Sequence, residues 1–143
     1  MMELSTKGRY ATRILVNLAC RDGRKPARKQ EIAEAEGLSV DYVAQLLMKL
    51  KAAGFTHSHR GVSGGFTLAC DPAKVTVMDI LEAMEGPIAI APCLSRKCAR
   101  MSVCVTQTVW KKANAALRTA LAGTTLADMA RQSGELRTSS FEI

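Results

Sequence analysis

The chain has 143 residues, of which 48% are hydrophobic and 23% are charged. This length fits one ordinary domain, or a small domain whose extension buries its apolar face against a second copy. Twenty basic and thirteen acidic residues give a net charge of +7; eleven basic and six acidic residues lie up to Cys70, against nine and seven beyond it. A polyanion-binding surface is therefore expected mainly in the first half, the alternative being a solvated basic face without a partner.

The cysteines indicate metal or redox chemistry rather than structural disulfides. Residues 1–7 lack the apolar core and cleavage site of a secretory signal, and no apolar run approaches a membrane span, so a cytoplasmic protein is expected. In that reducing compartment five cysteines are not expected to pair as structural disulfides. Cys20 ends an apolar helical stretch and Cys70 ends a predicted strand, so both are interpreted as small buried hydrophobes.

The first third of the chain predicts three helices. Apolar residues recur at three-to-four spacing from Tyr10 to Cys20, which indicates one face of an amphipathic helix, and residues 22–26 have the composition of a turn. The helices are expected over about Ser5–Cys20, around Ile32, Ala33 and Ala35 with a stop at Gly37, and from Val40 to about Ala53.

The third helix has the features of a recognition helix. Ser39 is a favourable N-cap, and an apolar stripe on one side leaves polar residues on the outer surface. Two helices joined by a tight turn, the second exposing side chains that hydrogen-bond, predict a helix-turn-helix; a helical hairpin without DNA function is the alternative. The outer and flanking residues are Asp41, Tyr42, Ala44, Gln45 and Lys49.

A β-hairpin is predicted directly after this helix. Two alternating segments, 55–60 and 66–69, flank the glycine-rich stretch 61–65. Such a hairpin is interpreted as a wing, with Arg60 suited to a narrow minor groove; a plain hairpin is the alternative. His57 and His59 share one strand face and are interpreted as exposed positions near DNA phosphates rather than as metal ligands.

The second half predicts helices around an irregular segment. Thr76 and Asp79 form a capping-box pair for a helix to about Met84, and nothing is periodic from Glu85 to Met101. A small-residue stripe along the next helix (Ala113, Ala116 and Ala120) favours dimerisation over packing on its own domain. The predicted helices run from about Val103 to Ala122 and from Leu126 to about Arg131, before a polar, mobile tail from Gln132 to Ile143.

Three cysteines, Cys93, Cys98 and Cys104, lie close together in a basic part of the irregular segment. Thiolates are soft ligands, and the nearby cations (Arg96, Lys97 and Arg100) favour their formation, so the trio can hold an iron–sulfur cluster or a metal. Zinc is a rival, although structural zinc usually takes four protein ligands. A thiol–disulfide switch is a second rival. An enzyme or electron carrier that uses the cluster is a third, but the sequence shows no substrate-pocket or acid–base signature for it.

The order of these elements resembles the Rrf2-type family of bacterial winged-helix regulators, which includes IscR, NsrR and CymR. The resemblance covers nearly the whole chain. It rests on several segments in the family's order: Leu4-Ser-Thr-Lys-Gly-Arg-Tyr-Ala11, Leu38-Ser-Val-Asp-Tyr-Val-Ala-Gln-Leu-Leu47, Arg60-Gly-Val-Ser-Gly-Gly-Phe66 and Cys104-Val-Thr-Gln-Thr-Val-Trp110.

The resemblance implies a DNA-binding transcriptional repressor, not an enzyme, that acts as a homodimer on a pseudo-palindromic operator of double-stranded DNA. Ser39, Tyr42, Gln45 and Arg60 match the family's DNA-contacting positions, and Lys49 is added from its charge. Ala44 stands where IscR carries a glutamate that bears on site choice, so IscR's operator preference is not carried over. The expected units are 1–84 for DNA binding, 85–105 for the cysteine segment, 103–131 for dimerisation and 132–143 for the tail.

The resemblance also implies an iron–sulfur cluster on the three cysteines, with [2Fe-2S] slightly favoured over [4Fe-4S], for sensing redox, nitric oxide or iron–sulfur status. CymR-like members, which lack these cysteines, represent a cluster-free alternative. The fourth ligand stays open. The histidine that follows the third cysteine in IscR is Gln107 here, and the first-helix position that supplies a carboxylate in other members is Arg9; Glu3 lies nearby.

Overall fold

The computed structural model describes residues 2–21 and 25–141, so most of the predicted turn at 22–26 and the last two residues of the tail lie outside the described part. A helical domain carries one β-hairpin. The elements are α1 (Thr6–Cys20), α2 (Lys29–Glu36), α3 (Val40–Ala52), β1 (Thr56–His59), β2 (Gly65–Leu68), α4 (Val77–Glu85), a 3-10 turn (Pro92–Leu94), α5 (Thr106–Ala122) and α6 (Leu126–Phe141).

The first four helices confirm the predicted order because their ends are set locally. The Ser5 hydroxyl accepts from the Gly8 amide at 3.2 Å, and the Ser39 hydroxyl accepts from the Tyr42 amide at 3.2 Å. Gly37, at φ +67°, ends α2 in the left-handed conformation that glycine adopts most readily. Thr76 and Asp79 form the predicted capping box of α4.

The hairpin is antiparallel, and a single residue outside it, Ala27, pairs with β2 as an isolated β-bridge. Thr56 pairs with Leu68, and His59 pairs with Gly65. Ala27, just before α2, bridges to Phe66 through two backbone hydrogen bonds of 2.9 and 2.8 Å. A Cβ on Gly65 would lie 2.5 Å from the Ala27 carbonyl oxygen, so this close approach requires glycine. Together with the helix-turn-helix, this hairpin gives a winged helix.

The hydrophobic core joins α1, α2, α3 and α4, and one residue of α6 completes it. Ile14, Leu15, Leu46 and Leu47 are each no more than 1% exposed, and Leu126, the first residue of α6, is 0% exposed. Within the described residues, no helix is long and apolar enough to cross a membrane.

The last helix differs from its prediction. It continues to Phe141 instead of ending at Arg131, so residues 132–141 are helical rather than a loose tail. The polar composition of this stretch reflects a solvent-facing helix whose first turns are held by tertiary contacts. Leu126 donates its amide to the Val75 carbonyl at 2.8 Å, and Cys20 Sγ lies 3.7 Å from the Ala130 carbonyl oxygen.

Helix α5 begins at Thr106, three residues later than predicted, so Cys104 precedes it. Residues 101–103 form a turn instead, closed by the Val103 amide on the Arg100 carbonyl at 3.0 Å. Much of the apolar stripe of α5 faces solvent in this protomer, since Val109 is 56% and Trp110 is 42% exposed. Packing on its own domain therefore leaves this face of α5 largely uncovered.

The two isolated cysteines, Cys20 and Cys70, which are predicted to be small buried hydrophobes, are half-buried. Cys70 packs against the core, with its Sγ 3.8 Å from the Phe55 carbonyl oxygen. Burial is the main cause that raises the pKa of the Cys70 thiol, with the nearby Asp71 carboxylate adding to it. Cys70 therefore stays protonated near neutral pH, as an inert structural thiol does.

Candidate functional site

The outer face of α3 presents the polar residues predicted to read DNA. Ser39, Gln45 and Lys49 are exposed, and Tyr42 is half-buried against the Tyr10 ring in an edge-to-face pair with centroids 6.1 Å apart. On the opposite side of α3, the apolar residues are at most 1% exposed: Val43, Leu46, Leu47 and Leu50. The Ser39 hydroxyl is only an acceptor in its N-cap bond, so its proton remains free for another acceptor.

A second cation, Lys7 of α1, joins Lys49 on this face. Lys7 is the main cause that lowers the pKa of Lys49, because a neutral Lys49 amine can accept a hydrogen bond from the Lys7 ammonium group; repulsion between two ammonium groups and desolvation lower it further. Two adjacent ammonium groups favour an anion between them. The reasoning from sequence missed Lys7 because this contact joins two distant parts of the chain; its position in the Leu4–Ala11 motif was the available signal.

The wing lies next to the start of α2. Arg60 is exposed where β1 passes into the loop, and Val62 at the tip of the loop is 91% exposed. The Arg28 guanidinium donates from Nη2 to the Val62 carbonyl at 2.7 Å. A groove of about 320 Å³ separates the two elements, and its lining includes Arg28, Lys29, His59 and Gly61.

The two histidines of β1 do not form a metal site within the described part of the chain, where no group of three or more His, Cys, Asp or Glu side chains is arranged to hold an ion. Both are exposed. His59 Nε2 lies 2.8 Å from the Thr67 Oγ1 on the paired strand. This contact uses one ring nitrogen of His59 inside the hairpin.

The three clustered cysteines lie on the irregular segment without converging on one point in the described structure. Cys93 is half-buried in the 3-10 turn, Cys98 is exposed, and Cys104 is half-buried just before α5. Cys104 Sγ lies 3.1 Å from the Thr106 hydroxyl. That hydroxyl, together with the Gln107 and Thr106 amides and the Arg100 charge, lowers the pKa of the Cys104 thiol despite an opposing desolvation effect.

Hydrogen bonds tie the beginning of the cysteine segment to α4 and α5. The Ile90 amide donates to Asn114 Oδ1 at 3.1 Å. Arg118 donates to Glu82 Oε1 at 2.7 Å and to the Ile88 carbonyl at 3.4 Å, so one guanidinium joins α5, α4 and the segment. These bonds hold residues 88–90, just before the cysteines, against α4 and α5.

The three positions with a bearing on the fourth ligand differ in their surroundings. Gln107 is only 6% exposed in the first turn of α5, and a carboxamide is a poor ligand for iron. Arg9 is a cation whose guanidinium lies 5.7 Å from the Tyr10 ring centroid. Glu3 is exposed near the N-terminus.

A helix-turn-helix with an exposed polar recognition helix, a glycine-rich wing and basic side chains on both defines a winged-helix DNA-binding protein. The sequence profile of the Rrf2 family, described as iron-dependent transcriptional regulator, matches residues 4–132. The chain belongs to this family of transcriptional regulators and is a DNA-binding protein rather than an enzyme.

Relatives and solved structures agree with this assignment. The chain is 38% identical over 136 residues to the protein rrf2 of Nitratidesulfovibrio vulgaris, which covers 91% of this chain and 88% of that protein. It is 35% identical over 129 residues to the HTH-type transcriptional regulator CymR of Bacillus subtilis, covering 90% of each.

Two solved structures are similar over most of their length. The structure of CymR, the global cysteine regulator of B. subtilis, has a TM-score of 0.82 and 33% identity, covering 92% of this chain and 98% of that one. IscR from T. potens has a TM-score of 0.78 and 36% identity, covering 94% and 90%.

Proposed function

We propose that this regulator is a homodimeric, cytoplasmic repressor whose binding to a pseudo-palindromic operator is controlled by an iron–sulfur cluster on Cys93, Cys98 and Cys104. The carrying observation is the placement of three thiols on one irregular segment directly before α5, because thiolates are the ligands that hold iron–sulfur clusters. The lowered pKa of Cys104 supports it by favouring the thiolate form. In this proposal residues 1–84 read DNA, residues 85–105 sense, and α5 holds the two protomers together.

The donor set fits such a cluster. Three thiols on an irregular segment have the freedom to converge when iron binds, since a metal site is often assembled by the metal itself. The cations Arg96, Lys97 and Arg100 are all exposed around them and offset the charge of a thiolate-bound cluster. In this proposal a [2Fe-2S] cluster is slightly favoured over [4Fe-4S], and the fourth ligand comes from outside the three cysteines. A bound cluster would react with oxidants and nitric oxide, and its occupancy would follow the supply of iron and sulfur.

In this proposal, hydrogen bonds and helix packing link the cysteine segment to the recognition helix. Convergence of the cysteines displaces the segment that Asn114 and Arg118 hold against α5, and Arg118 also bonds Glu82 of α4. Helix α4 packs on α1, which carries Lys7 and Tyr10 beside the recognition helix. The cluster thereby biases the placement of two recognition helices relative to each other.

For DNA, we propose that Gln45 makes a bidentate contact to adenine in the major groove and that Arg60 enters the minor groove. Ser39 and Tyr42 bind phosphate, and the pair Lys7 and Lys49 holds another phosphate between its ammonium groups. Dimer symmetry then predicts half-sites about 34 Å apart, one helical turn.

The cluster is tested by anaerobic purification. The protein is expected to be brown, with bound iron and acid-labile sulfide, and its absorption and electron paramagnetic resonance spectra identify the cluster type. Cys98→Ala is expected to lower the iron content while leaving a folded dimer. Cys20→Ala, which changes a thiol outside the segment, is the matched control. A colourless protein with stoichiometric zinc, or without metal, overturns the cluster proposal, and so does full iron content in Cys98→Ala.

The DNA contacts are tested by fluorescence anisotropy on the cognate operator at constant salt. Gln45→Ala is expected to cost about 1–3 kcal/mol and to relax preference at one base pair, as is typical of a lost bidentate contact. Arg60→Ala is expected to weaken binding more uniformly across sequences. Lys112→Ala, which removes an exposed cation of α5, is the control. If both variants bind as tightly as the parent, the assigned contacts are wrong.

A thiol switch without a cluster is the second candidate, favoured by the lowered pKa of Cys104 together with the exposed Cys98. Oxidation would join their sulfurs, with two protons and two electrons passing to an oxidant such as a peroxide. Peptide mass spectrometry of metal-free protein treated with peroxide, next to holo-protein, separates the two candidates. Reversible loss of DNA binding with a Cys98–Cys104 disulfide, in protein that never held iron, supports the switch.

A further inference from the structure

The wing is fastened to the start of α2 by backbone and side-chain contacts. Ala27 pairs with Phe66 of β2 through two hydrogen bonds, which hold the loop end of the hairpin. One residue later, Arg28 reaches the tip of the loop and donates from Nη2 to the Val62 carbonyl at 2.7 Å. Arg28 is also the N-cap residue of α2, so its backbone position is set by the helix-turn-helix itself.

The loop has few other restraints. Its backbone closes on itself through the Gly64 amide and the Gly61 carbonyl at 3.0 Å. Among the described residues, Arg28 supplies the only side-chain hydrogen bond to residues 61–65. Val62 is 91% exposed, and glycine-rich backbone has the most conformational freedom to lose on ordering. A charge-assisted bond at the tip therefore has a large influence on where the loop lies.

We propose that Arg28 is a positioning residue for the wing: its guanidinium holds the Val62 carbonyl so that Arg60 is presented to DNA at a set distance from the recognition helix. Arg60 immediately precedes the restrained loop, and Arg28 immediately precedes α2, so the bond couples the two DNA-reading elements before DNA arrives. Such preorganisation raises affinity by reducing the ordering cost on binding. This inference rests on the proposed role of Arg60 in DNA binding.

A direct phosphate contact by Arg28 is the competing explanation, and a double-mutant cycle separates the two. Operator binding is measured by anisotropy for the parent, Arg28→Ala, Arg60→Ala and the double variant at several salt concentrations. Arg28→Ala is expected to weaken binding roughly tenfold in the parent, as the loss of one ordering hydrogen bond to a charged donor does. In the Arg60→Ala background the same change is expected to cost less than about twofold. Lys29→Ala, the neighbouring exposed cation, is the matched control.

If Arg28→Ala costs the same factor in both backgrounds and lowers the salt slope by about one phosphate, Arg28 contacts DNA directly and the proposal is overturned. Circular dichroism and thermal unfolding check that each variant is folded.

Hydrogen exchange of the free protein tests the bond without DNA. Arg28→Ala is expected to speed exchange of the Gly64 amide, which lies inside the loop, while amides of α3 keep their rates. Unchanged exchange in the loop overturns the proposal whatever the binding data give. If Arg60→Ala binds DNA like the parent, the proposed contact of Arg60 fails instead, and the exchange result still decides whether Arg28 orders the loop.

Discussion

Leu126 is a fully buried core residue at the start of α6, so its truncation measures how far the last helix belongs to the DNA-binding domain. The side chain is 0% exposed and lies in the same buried cluster as Ile14 and Leu15 of α1. Leu126→Ala removes three buried carbon atoms, worth about 0.8 kcal/mol each in transfer free energy. The residual cavity adds to this, which gives an expected loss of about 3 kcal/mol in the free energy of unfolding.

Urea unfolding followed by circular dichroism measures this loss, with all variants at one protomer concentration because dimerisation contributes to apparent stability. Leu136→Ala is the matched control on the same helix. Leu136 is 71% exposed, so its truncation is expected to change the free energy of unfolding by less than about 0.5 kcal/mol. A loss below about 1 kcal/mol for Leu126→Ala, or equal losses for both variants, refutes the assignment of α6 to the core.

Three further predictions concern the wing, the dimer and the thiol. Gly65→Ala places a Cβ 2.5 Å from the Ala27 carbonyl oxygen, so anisotropy is expected to show weaker operator binding, whereas Gly134→Ala, where an added Cβ meets nothing, binds normally. Trp110→Glu puts a charge on the exposed face of α5 and is expected to yield monomers in light scattering; a persistent dimer contradicts this. Thr106→Val removes the largest cause of the lowered Cys104 pKa. The thiolate fraction at neutral pH then falls, and alkylation of Cys104 in metal-free protein, followed by peptide mass spectrometry, slows; an unchanged rate shows that the hydroxyl has no such effect.

The predicted helices and hairpin of the first half agree with the structure because their signals are local. Ser39, Gly37 and the pair Thr76 and Asp79 act within one turn of the helix that they begin or end. Alternation over 55–60 and the glycines after it likewise specify a hairpin without help from distant residues.

The predicted bounds of the last two helices are wrong, and local sequence alone does not specify them. A polar stretch from Gln132 looks like a tail in isolation, yet it is helical because the start of α6 is anchored on the segment before α4 through Leu126 and on α1 through Ala130. The predicted start of α5 is too early because the apolar pattern extends upstream through Val103, whereas the backbone turns at residues 101–103.

Local pattern in the sequence by itself determined a winged-helix DNA reader with a cysteine segment, since capping residues, periodicity and cysteine spacing are all short-range properties. Only the tertiary structure decided which distant groups meet: Lys7 beside Lys49, Arg28 on the Val62 carbonyl, and α6 on α1. The physical reason is that these contacts depend on how the helices pack and on where the wing lies against α2. Such long-range contacts produce no periodic pattern in the sequence.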